Sequence, residues 1–206
     1  MTILKAENIT KSFGSHSVLK GASFELRRGE VVGIIGENGT GKTTLLKIVM
    51  GLLPATQGTV TADGVFGYCP QEITVFEALT MHENYRYFSG AYTSRDDRPA
   101  DNFDETWLDL AERFRFAEYL RRPVAELSGG TKQKLNLALA LIHAPDILIL
   151  DEPYSGFDWE TYQCFWDYTT EVRAGGKSVL IVSHLINDRG YFDRIYDLKN
   201  GVLKCV

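Results

Sequence analysis

Three short runs of apolar residues most constrain the fold of this chain. They read VVGII at 31–35, ILIL at 147–150 and VLIVS at 179–183, and none of them alternates with polar residues. A strand that is apolar on both faces must be covered on both sides, which is typical of a parallel sheet flanked by helices. The runs therefore predict an α/β fold, in which ligands bind beyond the carboxyl ends of the strands.

Polar residues follow each of these runs where the predicted strand ends. Gly36 and its loop follow the first run, Asp151 and Glu152 follow the second, and His184 follows the third. Gln71 comes directly after a further short strand, VFGYCP. Because the carboxyl ends of parallel strands meet at one edge of a sheet, we expect polar chemistry to converge there.

The loop after the first run reads GENGTGKT, at 36–43. It fits the pattern GxxxxGK[ST] and lies between a buried strand and a helix, as a phosphate-binding loop requires. Its N–H groups would surround the β- and γ-phosphates, Lys42 would supply positive charge and Thr43 could hold Mg²⁺. Chance would give this pattern in about one chain in a hundred of this length, which leaves a plain glycine turn as the lesser alternative.

The acidic pair Asp151 and Glu152 ends the segment ILILDEP. One carboxylate can face a metal ion while the next orients a water molecule for attack. Alone, such a pair is more often a helix cap or a solvated turn, and an isolated residue such as His184 is usually structural. Their position at the same sheet edge as the phosphate loop favours the functional interpretation of all three.

A second candidate anion site opens the helix at LSGGTKQK, 127–134. Ser128 is a favourable N-cap, and the two glycines after it let the backbone approach a ligand. Lys132 and Lys134 place positive charge in the first turns, which opposes the helix dipole unless an anion binds. We therefore expect a phosphate at this helix.

Between these motifs the chain becomes helical. TMHE, from Thr80, forms a capping box, and Tyr85, Phe88 and Tyr92 fall on one helical face. We expect most of this aromatic face to be core, with the rest available to a helix of a partner. A polar loop, TSRDDRPADN, follows at 93–102, and a hairpin whose Asn200-Gly201 suits a type I′ turn ends the sequence.

Composition narrows the class of protein. With 206 residues, 44% hydrophobic and 24% charged, the chain suits one domain with an inserted subdomain. The formal net charge of −5 argues against a surface built for nucleic acid. We expect no membrane helix and no signal peptide, since the apolar runs are short and the N-terminus lacks a basic block. Three scattered cysteines indicate neither a disulfide framework nor a zinc site.

These motifs, in this order, resemble the nucleotide-binding subunit of an ATP-binding cassette (ABC) transporter over nearly the whole chain. The resemblance implies a Walker A loop at 36–43, a signature motif at 127–134 and a Walker B segment at 147–152. It identifies Gln71 as the Q-loop glutamine, Asp158 as the end of the D-loop SGFD, and His184 as the switch histidine. Phe13 in KSFG matches the aromatic residue that stacks on adenine, although a place in the core is the alternative.

Two positions depart from the family pattern. Thr131 stands where the family often has Gln, and Lys134 stands where Arg is common. The second change keeps the charge but loses the bidentate fork of the guanidinium. Ser128 and Gly130 are intact, so we do not interpret the chain as a degenerate cassette.

The resemblance also implies the fold and the site. It predicts one ATPase domain over 1–206, with a P-loop NTPase core at about 1–75 and 144–206, a mostly parallel sheet, N-terminal antiparallel strands and an α-helical subdomain at about 76–143. Lys42, Glu152 as general base and His184 as γ-phosphate partner would be catalytic, and Mg²⁺ would be held by Thr43, Gln71 and Asp151, directly or through water. The residues expected to touch ATP are Phe13, Gly36, Glu37, Asn38, Gly39, Thr40, Gly41, Lys42, Thr43, Thr44, Gln71, Ser128, Gly129, Gly130 and Asp158.

The implied function is ATP hydrolysis coupled to transport. Two cassettes would dimerise head to tail, so that the SGG helix of one faces the γ-phosphate bound by the other, and a transmembrane permease on a separate chain would carry the cargo. We expect a cytoplasmic protein held at the membrane by its permease, export as the direction, and a homodimer, with a heterodimer left open. The alternatives are a non-transport cassette acting on the ribosome or nucleic acid, and a small phosphotransferase, which would leave Gln71 and His184 without roles.

Overall fold

The structure, a computed structural model, describes residues 1–93, 103–184 and 189–206. The chain forms two units, the first of Met1–Phe66, Pro145–Glu152 and Thr170–Val206 and the second of Gly67–Ala144 and Pro153–Thr169. The helical subdomain expected at about 76–143 lies within the second unit, which also contains 153–169. The polar loop expected at 93–102 lies, apart from its first residue, outside the described residues.

A mostly parallel sheet forms the centre of the first unit. Its strands there lie in the order β6 (Ile147–Asp151), β7 (Ser178–Ser183), β3 (Val31–Ile35), β8 (Arg194–Lys199) and β9 (Val202–Cys205). β3 pairs in parallel with β7 and β8, and β6 pairs in parallel with β7. The three apolar runs are β3, β6 and β7, buried along nearly their whole length, so the predicted parallel sheet is confirmed.

The chain termini add antiparallel strands to the first unit. β1 (Thr2–Phe13) pairs antiparallel with both β2 (His16–Arg27) and β4 (Gln57–Ala62), which confirms the expected N-terminal strands. β8 and β9 form the final hairpin, in which Asn200 and Gly201 have φ of 51° and 81°. Positive φ at both central residues is the conformation of the predicted type I′ turn.

In the first unit, an ion pair holds Asp146, the residue directly before β6. The Asp146 carboxylate accepts a hydrogen bond from the Val65 N–H at 3.1 Å, and Lys177 Nζ donates to it at 3.1 Å. These interactions lower the pKa of Asp146 below its ordinary value, the backbone hydrogen bond being the larger cause. The ionised form of Asp146 is therefore favoured in the folded chain.

Helices dominate the second unit. The chain enters this unit through β5 (Phe66–Cys69). Its helices are α2 (Met81–Thr93), α3 (Phe103–Arg113), α4 (Gly129–Leu141) and the first part of α5 (Trp159–Ala174). The remaining α-helix that the structure describes, α1 (Lys42–Val49), belongs to the first unit. The N–H of Thr80 donates to Glu83 Oε2 at 2.8 Å and the N–H of Glu83 donates to Thr80 Oγ1 at 3.2 Å. The predicted capping box is thus confirmed at the start of α2.

The first residue of the predicted aromatic face of α2, Tyr85, lies in the core. Tyr85 is buried, stacks on Trp107 with ring centroids 4.7 Å apart, and donates its hydroxyl to Asp104 at 2.7 Å. Phe88 and Tyr92 are only partly buried. In the described residues, no helix has both the length and the apolar content needed to span a membrane.

Candidate functional site

The loop between β3 and α1 has a backbone that only glycine can adopt at its end. Gly41, directly before α1, has φ of 104°, and a Cβ there would lie 2.7 Å from Val18 Cγ1. At the start of the loop, a Cβ on Gly36 would lie 2.7 Å from the Leu198 carbonyl oxygen. The loop therefore stays close to its neighbours, and α1 begins without a side-chain cap that would compete with a ligand for its first N–H groups.

Lys42 directs its charge into this loop. Its Nζ is buried and donates to the carbonyl oxygens of Gly36 at 2.5 Å and Glu37 at 3.0 Å. A buried ammonium group needs strong acceptors, and phosphate oxygens are stronger acceptors than carbonyls. The position suits an anion bound at the loop.

A hydroxyl and a carboxylate meet at the edge of the sheet. Thr43 Oγ1 donates to Asp151 Oδ2 at 3.1 Å, and Asp151 is buried at the end of β6. Burial, the largest cause, raises the pKa of Asp151. Oxygen donors of this kind suit Mg²⁺. Within the described ranges there is no group of three or more His, Cys, Asp or Glu that could hold a metal ion.

Glu152 and His184 lie in contact at the same edge. Glu152 Oε1 accepts the His184 N–H at 2.6 Å and lies 2.9 Å from His184 Nδ1, while Ser183 donates its hydroxyl to Oε2 at 2.9 Å. Glu152 has φ of 52°, which costs a residue with a side chain about 1–3 kcal/mol. The hydrogen bonds from the end of β7 hold it there, so the structure brings these two candidate residues together.

In the second unit, Ser128 begins α4. Its Oγ accepts the N–H of Thr131 at 3.2 Å, which confirms the predicted N-cap. Gly129 has no neighbouring atom within 4 Å of where a Cβ would lie, whereas a Cβ on Gly130 would lie 2.6 Å from the Gly156 carbonyl oxygen. Gly130 is therefore required by its contact with the backbone of Gly156, a role that the sequence analysis missed.

The two lysines of α4 have acidic partners within the second unit. Lys132 Nζ lies 2.6 Å from Glu77 Oε1, and Lys134 Nζ lies 3.9 Å from Asp158 Oδ2. Burial lowers the pKa of Lys134, and Asp158 opposes that shift. The expectation that these lysines require a bound anion is wrong, because Glu77 and Asp158 supply the negative charge. The Ser128 end of the helix itself stays available to a phosphate.

The remaining candidates are distributed over both units. The Phe13 ring at the end of β1 is 51% exposed, with Lys11 Nζ 5.2 Å from its centroid, so it is not part of the core. Gln71 is exposed in the second unit. The first unit contains Phe13, residues 36–44, Asp151, Glu152 and His184, and the second contains Gln71, residues 128–130 and Asp158.

Known proteins resemble the chain along its length. A family model described as ABC transporter matches residues 19–155, more than half of the chain. The chain is 34% identical to the probable multidrug ABC transporter ATP-binding protein YbhF of Escherichia coli, over 98% of this chain and 36% of that protein. It is 34% identical to the Nod factor export ATP-binding protein I of Sinorhizobium fredii, over 96% of this chain and 60% of that protein. The chain thus spans about a third of the first relative and three fifths of the second.

A solved structure supports the fold. The dimeric post-hydrolysis state of the ATP-binding cassette MJ0796 bound to ADP and phosphate has a TM-score of 0.88 and 25% sequence identity. The match covers 99% of this chain and 98% of that one. The α/β fold with antiparallel N-terminal strands and a helical part is therefore the fold of that cassette.

Proposed function

Because the chain belongs to the ATP-binding subunits of the ABC transporter family, we propose that it hydrolyses MgATP to drive transport through a separate membrane-spanning chain. The observation that carries this proposal is the edge of the sheet in the first unit. There the phosphate loop with Lys42, the Thr43–Asp151 pair and the Glu152–His184 pair follow the ends of neighbouring strands. These are the groups that phosphoryl transfer to water requires, namely positive charge, metal ligands and a base.

Each group has a distinct role in this proposal. Lys42 exchanges its carbonyl acceptors for β- and γ-phosphate oxygens, and the phosphate loop orients them. Thr43 and Asp151 would hold Mg²⁺, directly or through water, and Gln71 is the further ligand that the family resemblance implies; the ion, when bound, would neutralise charge on the phosphates. Glu152 accepts the proton of the attacking water, since a carboxylate has about four acceptor sites and the Ser183 hydroxyl and the His184 N–H occupy two of them. His184 binds the γ-phosphate.

The second phosphate contact comes from another copy of the cassette. Ser128, Gly129 and Gly130 at the start of α4 would bind the γ-phosphate of the partner copy, and Asp158 would lie beside them. The likeness to a dimeric cassette structure supports this arrangement. Only ATP carries the γ-phosphate, so ATP rather than ADP would favour the closed dimer.

The membrane-spanning partner would bind an exposed aromatic cluster in the second unit. Phe76 is 43% exposed and Tyr87 is 59% exposed, their ring centroids lie 4.7 Å apart, and Phe88 lies 5.5 Å from Tyr87. Large aromatic side chains left in water are typical of contact surfaces. In this proposal a cytoplasmic helix of the permease binds the aromatic cluster and holds the protein at the cytoplasmic face of the membrane. The direction of transport is export, because the named relatives are multidrug and export proteins.

The solution mass of the Glu152→Gln variant tests the proposal. Light scattering with MgATP should give a dimer, and light scattering without nucleotide should give a monomer, because blocked hydrolysis traps the closed state. The Lys42→Ala variant of the same protein is the control and should stay monomeric. A Glu152→Gln chain that binds ATP and remains a monomer would contradict the homodimer. Dimer formation that ADP supports equally would contradict the γ-phosphate contact.

A further inference from the structure

Two polar side chains are buried in the middle of α4. Gln133 is 4% exposed and Asn136 is 3% exposed, and their spacing of three residues places them on the same face of the helix. The surrounding sequence is otherwise apolar from Leu135 to Ile142. Buried amides are retained with hydrogen-bond partners, so the partners identify what this helix holds in place.

Both amides donate to the second unit's own backbone. Gln133 Nε2 donates to the Pro153 carbonyl oxygen at 3.1 Å and lies 3.9 Å from Cys69 Sγ. Asn136 Nδ2 donates to the Pro70 carbonyl oxygen at 2.9 Å and to Cys69 Sγ at 3.3 Å. Proline has no N–H, so the carbonyl is the only backbone hydrogen-bonding group at either position. The two amides of α4 thus hold two segments that are distant in sequence.

These two segments border residues to which we assign chemistry. Pro70 directly precedes Gln71, and Pro153 directly follows Glu152. We infer that Gln133 and Asn136 are positioning residues for ATP hydrolysis, which fix the backbone next to the Q-loop glutamine and next to the general base. The inference rests on the proposed roles of Gln71 and Glu152.

Two more contacts join the first turns of α4 to the segment that follows Pro153. Gly130 lies against the backbone of Gly156, and Lys134 Nζ lies 3.9 Å from Asp158. Together with the hydrogen bond from Gln133 to the Pro153 carbonyl, these contacts join α4 to residues 153–158 at three positions. A displacement of the Ser128 end of α4 would therefore move residues 153–158, which follow Glu152 in the chain. The helix that meets the partner's γ-phosphate in our proposal is thereby coupled to both segments.

Two apolar isosteres test this role. Gln133→Met and Asn136→Leu keep nearly the same side-chain volume but remove the donor groups. Thr169→Val is the matched control, because Thr169 is also buried in the second unit and donates to the Phe165 carbonyl at 2.8 Å within α5. All three variants lose one buried side-chain donor, so a general loss of stability affects them alike.

Hydrogen exchange of the nucleotide-free chain gives the first measurement. Asn136→Leu should speed exchange about 10-fold in peptides that begin at Gln71, and Gln133→Met should do so in peptides that cover 154–158. Thr169→Val should change neither. If one variant does not fold, the other decides the question. Uniform acceleration throughout the second unit, or no change at these peptides, would overturn the inference.

Steady-state kinetics gives the second measurement. Each isostere should lower kcat for ATP hydrolysis about 10- to 100-fold and leave the ATP KM within about twofold, because misplaced groups slow the chemical step. Thr169→Val should retain the wild-type kcat. Equal kcat in all three variants would overturn the positioning role. A wild-type chain that binds ATP but releases no phosphate would instead contradict the proposed function, while the exchange pattern would still decide whether the amides hold the two segments.

Discussion

Replacement of Gly130 by alanine is the most direct test of the contact between α4 and the segment that ends at Asp158. A Cβ on Gly130 would lie 2.6 Å from the Gly156 carbonyl oxygen, whereas ordinary contact begins at 3.4 Å. The two backbones must therefore separate by about 0.8 Å. Gly129→Ala is the matched control, because a Cβ there meets no atom within 4 Å.

The difference in stability between the two variants isolates the clash. Alanine is favoured over glycine in a helix by up to about 1 kcal/mol, and overpacking costs about 1–3 kcal/mol. Gly129→Ala should therefore be neutral or up to about 1 kcal/mol more stable than the wild type, and Gly130→Ala about 1–3 kcal/mol less stable than Gly129→Ala. At about 2–4 °C per kcal/mol for a chain of this size, the two values of Tm should differ by about 2–12 °C.

The assay is thermal and urea unfolding of the two variants without nucleotide. Equal stability of the two alanine variants would refute the reasoning, because it would show that the backbone at Gly156 yields without cost.

Three further predictions concern single side chains of the first unit. Glu152→Gln should lower phosphate release about 10²- to 10⁴-fold and spare ATP binding, because an amide cannot accept the proton of water; equal turnover would remove Glu152 from that role. Lys42→Ala should weaken both ATP binding by calorimetry and turnover, and unchanged affinity would count against a phosphate contact. Asp146→Asn should destabilise the chain by about 1 kcal/mol at pH 7. The pKa of Asp146 is lower in the folded chain than its ordinary value of 3.8, so the difference in stability between the wild type and Asp146→Asn should shrink as pH falls below 3.8 and through the folded-state pKa. Urea unfolding at several pH values measures this difference, and a difference that persists in acid would contradict the prediction.

The features that the sequence predicted correctly depend on residues close together in the chain. The run at 31–35 is apolar at every position, and a strand buried on both faces needs no distant information to be recognised. The same holds for the capping box at Thr80 and for Asn200-Gly201, whose turn type depends on two adjacent residues. The position of residues 36–41 between β3 and α1 belongs to this class, since one continuous segment supplies the strand, the loop and the helix.

The features that the sequence did not predict join distant segments. Gly130 was interpreted as a residue for ligand approach, and its contact with Gly156, 26 positions later, has no periodic signal. The charges of α4 were weighed against its own dipole alone, whereas the partner of Lys132 is Glu77, from a different part of the chain. Phe13 was left open between adenine contact and core, and only its exposure in the structure excludes the core.

At the edge of the sheet in the first unit, several residues have burial or backbone conformations that cost free energy of folding and that a purely structural role does not explain. Lys42 and Asp151 are ionisable groups buried from water, and Glu152 has a backbone conformation that residues with side chains rarely adopt. In the proposed function each of these groups gains a partner from MgATP or the attacking water: phosphate for the Lys42 ammonium, the cation for the Asp151 carboxylate, and water for Glu152. Strained and buried charged groups cluster at functional sites for this reason. If these groups bind MgATP as we propose, MgATP should stabilise the folded chain.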